Sequence, residues 1–536
     1  MADEMDGRVL DPASPQFHPP MPNLQALAQK GAVFTTAYNQ APQCVPSRTS
    51  MMVGLRTDQF QVWDNSVGGI AINGDNTQLD SHCINSLGSK FCTKYAKLQN
   101  APVTFIDRLN ASGYNVTLYG KMHAGFGLDR YTGSITEFPF NTGSGPKYGR
   151  ELTRGLGPVI NVKGVSQASN PPSPPKDEPK PASSNDYDTL DSCLKQLRAG
   201  LFSNPEGGQF LYCSIIVPHP AYATNATYLT ALANLTIDPI HWVPLNESHP
   251  SDVASSIQQG LSKATDFDPA AVENFRRVYF SMCYESDNLL GQIINALDQN
   301  AERDSTYVMM VSDHGEDAIE HRMIGKNNMY DSGSRVAMVL SGPDVISGQQ
   351  VTALTSLNDV YPTVLDMAGI SNLPSNLPGS SLFNLLLNKS SVQTNPRKDY
   401  VIGQYHSVYS VTGLYMVRKG SWKYIAYAPN QYGTTEEMNW PVQLFNLDSD
   451  PWELDNIASA HADKVKELND ILRTEVDVKG TDLLAKSYQK DLFMTYTWSG
   501  SDHCQSVFEA IYGKGTLTKD DAKVIEQWTG KSCPFN

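Results

Sequence analysis

Short runs rich in β-branched and aromatic residues alternate along the chain with longer stretches whose apolar positions recur every three or four residues. Residues 114–119, 210–217, 306–311 and 337–340 read as strands on that pattern. Phe275, Val278, Met282, Leu289, Ile293 and Leu297 fall on one face of a helix over about 274–297, and that face is predicted to meet the core. Strands alternating with helices argue for an α/β fold, a large, mostly parallel mixed sheet flanked by helices. From about Tyr400 the pattern changes. Residues 401–405, 414–418 and 422–427 follow one another as strands of a smaller antiparallel sheet, and a helical tail that includes 460–475 comes after them. The expected organisation is an α/β domain over 1–399 and a C-terminal subdomain over 400–536. Residues 166–185, crowded with Pro, Ser, Lys and Asp, bury too little apolar surface to order themselves and read as a mobile surface loop.

Polar side chains gather where the predicted strands end. Lys121 and His123 follow the first in Gly120-Lys121-Met122-His123, His219 follows the second in Pro218-His219-Pro220, and Ser312-Asp313-His314-Gly315-Glu316 follows the third. Ligands of an open α/β sheet bind beyond the carboxyl ends of its strands, so these groups are predicted to converge on one crevice. Each alone has a plainer reading. A single strand-end His is generally a hydrogen-bonded surface residue, and Asp313 could cap a following helix. Cys44 precedes a Pro46-Ser47-Arg48 turn that can open a helix, where unpaired N–H groups and the helix dipole favour an anion. A lone Cys is usually a small buried hydrophobe.

Composition narrows the possible partners. With 536 residues, 40% hydrophobic and 18% charged, the chain has material for a large core. Its net charge of −15 argues against general nucleic-acid binding, which needs an excess of Lys and Arg, so an anionic substrate must meet a local basic pocket. No apolar run approaches the ~20 residues that cross a bilayer, and no membrane span is expected. Among eight Cys, Cys83 with Cys92 and Cys504 with Cys533 could pair in an oxidising compartment. Setting Cys44 aside leaves an odd number, so at least one further thiol is expected to be free or buried. Sequons at Asn110, Asn115, Asn225, Asn234, Asn246 and Asn388 suit a glycoprotein. Met1-Ala2-Asp3-Glu4 shows neither the basic nor the apolar region of a signal peptide.

The run Cys44-Val45-Pro46-Ser47-Arg48, with Gly54 at its fixed interval, resembles the signature of the type I sulfatases of the alkaline phosphatase superfamily. In that family this Cys is oxidised to formylglycine, a hydrated aldehyde. Ser312-Asp313-His314-Gly315-Glu316, with Glu320-His321-Arg322, Lys326, Met329-Tyr330 and Ser334, resembles the second signature of the family. Further likeness at Met282-Cys283-Tyr284-Glu285-Ser286-Asp287, Asp359-Val360-Tyr361-Pro362-Thr363 and Trp422-Lys423-Tyr424-Ile425-Ala426-Tyr427 spreads it over most of the chain.

The resemblance implies a sulfuric ester hydrolase acting on sulfated sugars such as 2-sulfated uronate, or on aryl sulfates. It implies a divalent cation held by Asp3, Asp313, His314 and the oxidised side chain at Cys44, with Glu4 standing where many sulfatases have a second Asp. The family suggests calcium; an imidazole among oxygen ligands leaves magnesium, manganese or another ion open. The implied roles are attack on sulfur by a hydroxyl at position 44, orientation of the hydrate by Arg48, and stabilisation of the sulfuryl oxygens by Lys121 and Lys326. His219 would protonate the leaving alcohol, and His123 would take the proton whose loss expels sulfate. Lys121, His219, Lys326 and His406 are the implied substrate-binding set. A formylglycine-generating enzyme is the implied maturation partner, and a secreted or lysosomal location the implied destination.

Two rival expectations stand beside this one. The first is a phosphatase or phosphonate monoester hydrolase of the same superfamily. The second is an inactive, sulfatase-like binding protein: Asp3 lies two residues from the start of this sequence, where the family has a hydrophobic strand before that Asp, and on this reading the chain binds metal poorly.

Overall fold

The structure, a computed structural model, describes residues 1–65, 103–124, 184–200, 207–220, 222–244, 246–253, 269–387, 396–406, 412–428, 440–496, 519, 522–523, 526 and 532–533. Its strands are β1 Gly31–Phe34, β2 Ala37–Tyr38, β3 Asn115–Gly120, β4 Gln209–Ser214, β5 Val308–Val311 and β6 Met338–Ser341, then β7 Gln349–Val351, β8 Thr355–Ser356, β9 Tyr400–Tyr405, β10 Leu414–Lys419, β11 Trp422–Tyr427 and β12 Gln443–Asn446.

The main sheet is mixed. In the order β5-β6-β1-β7, β1 runs parallel to β7 and antiparallel to β6, and β6 is antiparallel to β5. The strand β3 pairs in parallel with β4, from Asn115 opposite Gln209 to Gly120 opposite Ser214. Met1 to Asp3 connect these two groups. The Met1 carbonyl accepts the Ile215 N–H at 3.0 Å, and the Ala2 N–H donates to the Val311 carbonyl at 3.1 Å. Parallel bridges Ala2↔Ser312 and Asp3↔Pro218 continue the link. Asp3 is thereby set beside the carboxyl ends of β4 and β5.

Strand alternation explains why helices cover both faces. Ala32 and Phe34 of β1 join one apolar cluster and Val33 the other; Met338 and Leu340 of β6 face the first, Val339 the second. The first cluster takes Met51 and Met52 from the helix Cys44–Val53, Phe105 and Ile106 from Phe105–Ala111, and Leu365 from Val360–Met367. The second takes Leu24 and Leu27 from Pro22–Gln29, and Leu190 and Leu194 from Ser184–Arg198. The helix predicted over 274–297 spans Pro269–Gln299, burying Phe275, Val278, Met282, Leu289 and Leu297 with Ile293 partly buried. A second sheet, β12-β11-β10-β9, is antiparallel throughout. Tyr415 and Val417 of its β10 pack on Leu468 and Leu472 of the helix Ala462–Glu475, and Leu414 and Met416 pack on Met323, Met329 and Tyr330.

A disulfide joins Cys193 of the helix Ser184–Arg198 to Cys213 of β4, a pairing absent from the reading of Cys spacing. Cys83, Cys92 and Cys504 lie outside the described residues, and Cys533 is disulfide-bonded. Cys283, like Cys44, is free and buried, which agrees with the odd count. Of the sequon asparagines, Asn110, Asn115, Asn234 and Asn246 are exposed, Asn225 caps the helix Ala226–Leu232, and Asn388 lies outside the described residues. So does the loop expected over 166–185 as far as residue 183; the helix Ser184–Arg198 begins within its last two positions. No helix among the described residues is long and apolar enough to cross a membrane.

Asp252 offers a test of this packing. Its carboxylate accepts the Tyr330 hydroxyl at 2.7 Å, and burial pushes its pKa up from 3.8 to about 7. A folded pKa above the unfolded value means the contribution to stability is full below about pH 4 and is lost as the pH rises through about 7. Asp252→Asn keeps an acceptor for Tyr330 but cannot ionise. It is expected to raise the thermal midpoint at about pH 8 and to leave it nearly unchanged at about pH 4, a gap worth a few kcal/mol at most, at about 1.4 kcal/mol per pKa unit. An equal difference at both pH values contradicts this.

Candidate active site

The helix Cys44–Val53 opens after Gln43, extended at φ −160°, with Pro46 in the first turn where a missing N–H costs no intrahelical bond. It ends at Gly54, whose φ of 71° and N–H bond to the Ser50 carbonyl at 2.8 Å form a left-handed cap. A Cβ at that position would stand 2.8 Å from Tyr361 Cβ, so packing as well as backbone demands glycine. Every residue from Cys44 to Val53 is buried.

Arg48, one turn on, ties the strand ends together. Its Nε donates to Asp313 Oδ2 at 2.7 Å, and its Nη1 to the Lys121 carbonyl at 2.7 Å and to Ser214 Oγ at 2.9 Å. Its Nη2 lies 3.7 Å from Asp3 Oδ1. Past β5, Asp313 Oδ1 accepts the N–H groups of Glu4 and His314, each at 3.1 Å. No helix begins there, so Asp313 caps nothing and the plainer reading of it fails. His314 Nδ1 is 3.0 Å from the Gly315 carbonyl, which makes Nδ1 the donor and turns Nε2 toward Cys44 Sγ at 3.2 Å.

Asp3, Lys121 and His123 also reach this sulfur. Asp3 Oδ1 is 3.8 Å from it and Lys121 Nζ 3.6 Å, while Lys121 also pairs with Asp3 Oδ2. Gly120, with φ 85°, delivers Lys121 where a Cβ would collide with the Ser214 carbonyl. His123 hydrogen-bonds Cys44. Lys326 Nζ meets Glu4 Oε2 at 2.7 Å, and His219 Nε2 lies 3.5 Å from that oxygen with its Nδ1 2.7 Å from the Pro220 carbonyl. His406 makes its described contacts elsewhere. It is buried, 3.3 Å from Gln404 Oε1, edge-on to Trp63 and Tyr415, and its pKa is lowered to about 3 by burial and by Lys486.

The charges are arranged for an anion. Burial opposes ionisation of Cys44, but Lys121, Lys326 and His314, with the His123 hydrogen bond, override it and hold the thiol well below its ordinary value. Burial also opposes the His314 cation, yet Asp313 outweighs it and raises the imidazole to about 9. Burial lowers His123 and keeps it neutral. Asp3, Cys44, Asp313 and His314 are all buried, and their candidate ligand atoms lie within 4.8 Å of one another. Two carboxylates and an imidazole with its far nitrogen already engaged fit a divalent cation, and Cys44 Sγ stands where an oxygen of an oxidised side chain would complete the set. Positive φ occurs beside the cluster at Glu4 and His123.

The Sulfatase family model matches residues 11–370 of this chain. The chain belongs to the sulfatase family. A second model, N-sulphoglucosamine sulphohydrolase C-terminal, matches residues 319–479 of this sulfatase. Arylsulfatase K of Danio rerio is 28% identical over 545 residues, covering 98% of this chain and 93% of its own. Among solved structures, a 2-O GAG sulfatase superposes with a TM-score of 0.59 at 19% identity, covering 89% of this chain and 90% of that one. The phosphonate monoester hydrolase of Silicibacter pomeroyi does so with a TM-score of 0.63 at 18% identity, covering 88% and 94%. These two share the fold.

Several residues around the sulfatase cluster carried no local sequence signal. Ser214 takes an Arg48 hydrogen bond, Tyr279 donates to the Glu4 carbonyl at 3.1 Å, and Asp186 accepts the N–H groups of Ile216 and Val217 at 2.6 and 2.9 Å. The last contact ends the ladder of β4 and turns the chain toward His219.

Proposed function

We propose that this sulfatase removes sulfate from a sugar by means of a formylglycine made from Cys44 and a divalent cation held by Asp3, Asp313, His314 and the oxidised side chain. The convergence of His314 Nε2, Lys121 Nζ and Asp3 Oδ1 within 3.2 to 3.8 Å of Cys44 Sγ carries this reading. Calcium is the ion the family favours, with magnesium or manganese compatible with the donors. When present, formylglycine supplies the hydroxyl nucleophile and the cation a Lewis acid that draws charge from the sulfuryl oxygens.

The chain's own side chains do the rest. The ammonium groups of Lys121 and Lys326 bind the sulfuryl oxygens and stabilise the charge that grows there. Arg48 holds Asp313 and the position-44 side chain in register. His219 Nε2, 3.5 Å from Glu4 Oε2, gives its proton to the departing alkoxide. His123, kept neutral by burial, takes the second proton whose removal releases sulfate. His406 serves at most the edge of the substrate pocket.

Likeness to arylsulfatase K, and to a fold neighbour described as a 2-O GAG sulfatase, supports 2-sulfated uronate as the sugar. The Cys193–Cys213 disulfide and the exposed sequon asparagines support a secreted or lysosomal location and maturation by a formylglycine-generating enzyme. The proposed division at residue 400 separates the sheet bearing the site from the β12-β11-β10-β9 sheet. The phosphonate hydrolase neighbour keeps phosphoryl chemistry as the rival. Parallel measurement of kcat/KM on an aryl sulfate and the matching aryl phosphate decides: sulfate is expected to be preferred by about 100-fold or more, roughly the worth of one well-placed transition-state donor. Preference for phosphate contradicts the proposal.

A further inference from the structure

Glu4 follows a residue of the metal cluster, yet its carboxylate bonds to Lys326. Its φ of 68° lies in the left-handed region, and the conformation is held from both sides. The Glu4 N–H donates to Asp313 Oδ1 at 3.1 Å, and the Tyr279 hydroxyl donates to the Glu4 carbonyl at 3.1 Å. Glu4 Oε2 meets Lys326 Nζ at 2.7 Å and lies 3.5 Å from His219 Nε2. Glu4 is absent from the group Asp3, Cys44, Asp313 and His314 and falls instead with Asp3 and His219. A second cation in that latter group would have to sit against the Lys326 ammonium, which already occupies Oε2.

The loop that carries Lys326 is anchored to match. Glu316 Oε1 accepts the N–H groups of Ala318 and Gly325 at 2.8 and 2.6 Å, and its Oε2 accepts the Tyr222 hydroxyl at 2.7 Å. Gly325 therefore fixes the backbone next to Lys326, and Glu4 fixes the ammonium at the far end of the side chain.

We propose that Glu4 is a positioning residue: its carboxylate holds the Lys326 ammonium and the His219 ring where a sulfate ester meets them, and it takes no part in holding the metal. The inference rests on the sulfatase reading of Lys326 and His219. A carboxylate bonded to a lysine and facing an imidazole limits the rotamers from which each can reach a substrate.

The test pairs ion titration with kinetics. Calorimetric titration with calcium is expected to give Glu4→Gln the wild-type affinity within about threefold, whereas Asp3→Asn loses binding. On an aryl sulfate, Glu4→Gln is expected to lower kcat/KM by about 10- to 100-fold, part of the cost of losing a transition-state donor outright. Glu4→Asp, a methylene too short for the 2.7 Å contact, is expected to stay impaired. The double variant Glu4→Gln/Lys326→Gln is expected to lose clearly less than the product of the two single losses, because most of the effect of Glu4 passes through Lys326. Loss of calcium affinity in Glu4→Gln comparable to that in Asp3→Asn, or multiplying losses in the double variant, overturns the proposal. Failure of the formylglycine-bearing wild type to hydrolyse any sulfate ester removes the sulfatase reading instead, and the calcium titration, which needs no turnover, then judges Glu4 by itself.

Discussion

Cys44→Ala is expected to lower sulfate ester turnover by on the order of 10⁴- to 10⁶-fold, the scale seen when a nucleophile acting within a unit is removed, with the fold retained. The sulfur is the atom on which His314 Nε2, Lys121 Nζ and Asp3 Oδ1 converge. Alanine fits the fully buried space at the start of the Cys44–Val53 helix, and losing one sulfur from it costs about 1 kcal/mol of burial. Unfolding midpoints and steady-state rates on the same preparation separate the two effects. A residual rate within tenfold of wild type places the nucleophile elsewhere.

Arg48→Met is expected to be the most damaging substitution for the fold itself. The guanidinium is fully buried and links Asp313, the Lys121 carbonyl and Ser214, so it joins the helix to the ends of β3, β4 and β5. Methionine preserves most of the volume but leaves the Asp313 carboxylate buried without its cation, and breaking one side of a buried pair costs about 3–5 kcal/mol. Arg48→Lys is expected to rescue little, because one ammonium cannot reproduce the planar fork that serves three acceptors. Urea midpoints of the three proteins check this; a wild-type midpoint in Arg48→Met contradicts it.

Elements whose residues alternate or recur regularly were legible from sequence. The strand expected over 114–119 became Asn115–Gly120, those over 401–405 and 422–427 matched within a residue, and the helix over 274–297 gained only a few residues at each end. Their boundaries follow from side-chain period and turn residues, which are local. The strand expected over 210–217 stops at Ser214 because Asp186, far away in sequence, takes the N–H groups of Ile216 and Val217. The Cys193–Cys213 pairing likewise depends on how a helix lies against β4.

The candidate site divides in the same way. Cys44 and Arg48 share one helical turn, and Asp313 and His314 are adjacent, so their motifs can be read directly. The partnership of Glu4 with Lys326 joins residues 322 positions apart, and nothing near either one announces it. For His406 the family resemblance implies a binding role, and the structure packs its ring edge-on to Trp63 and Tyr415.

Mass spectrometry of the peptide containing Cys44, from protein purified from its native host, tests the central claim most directly. The account predicts formylglycine at position 44, trapped as its hydrazone. An intact thiol as the sole species in such material would contradict it.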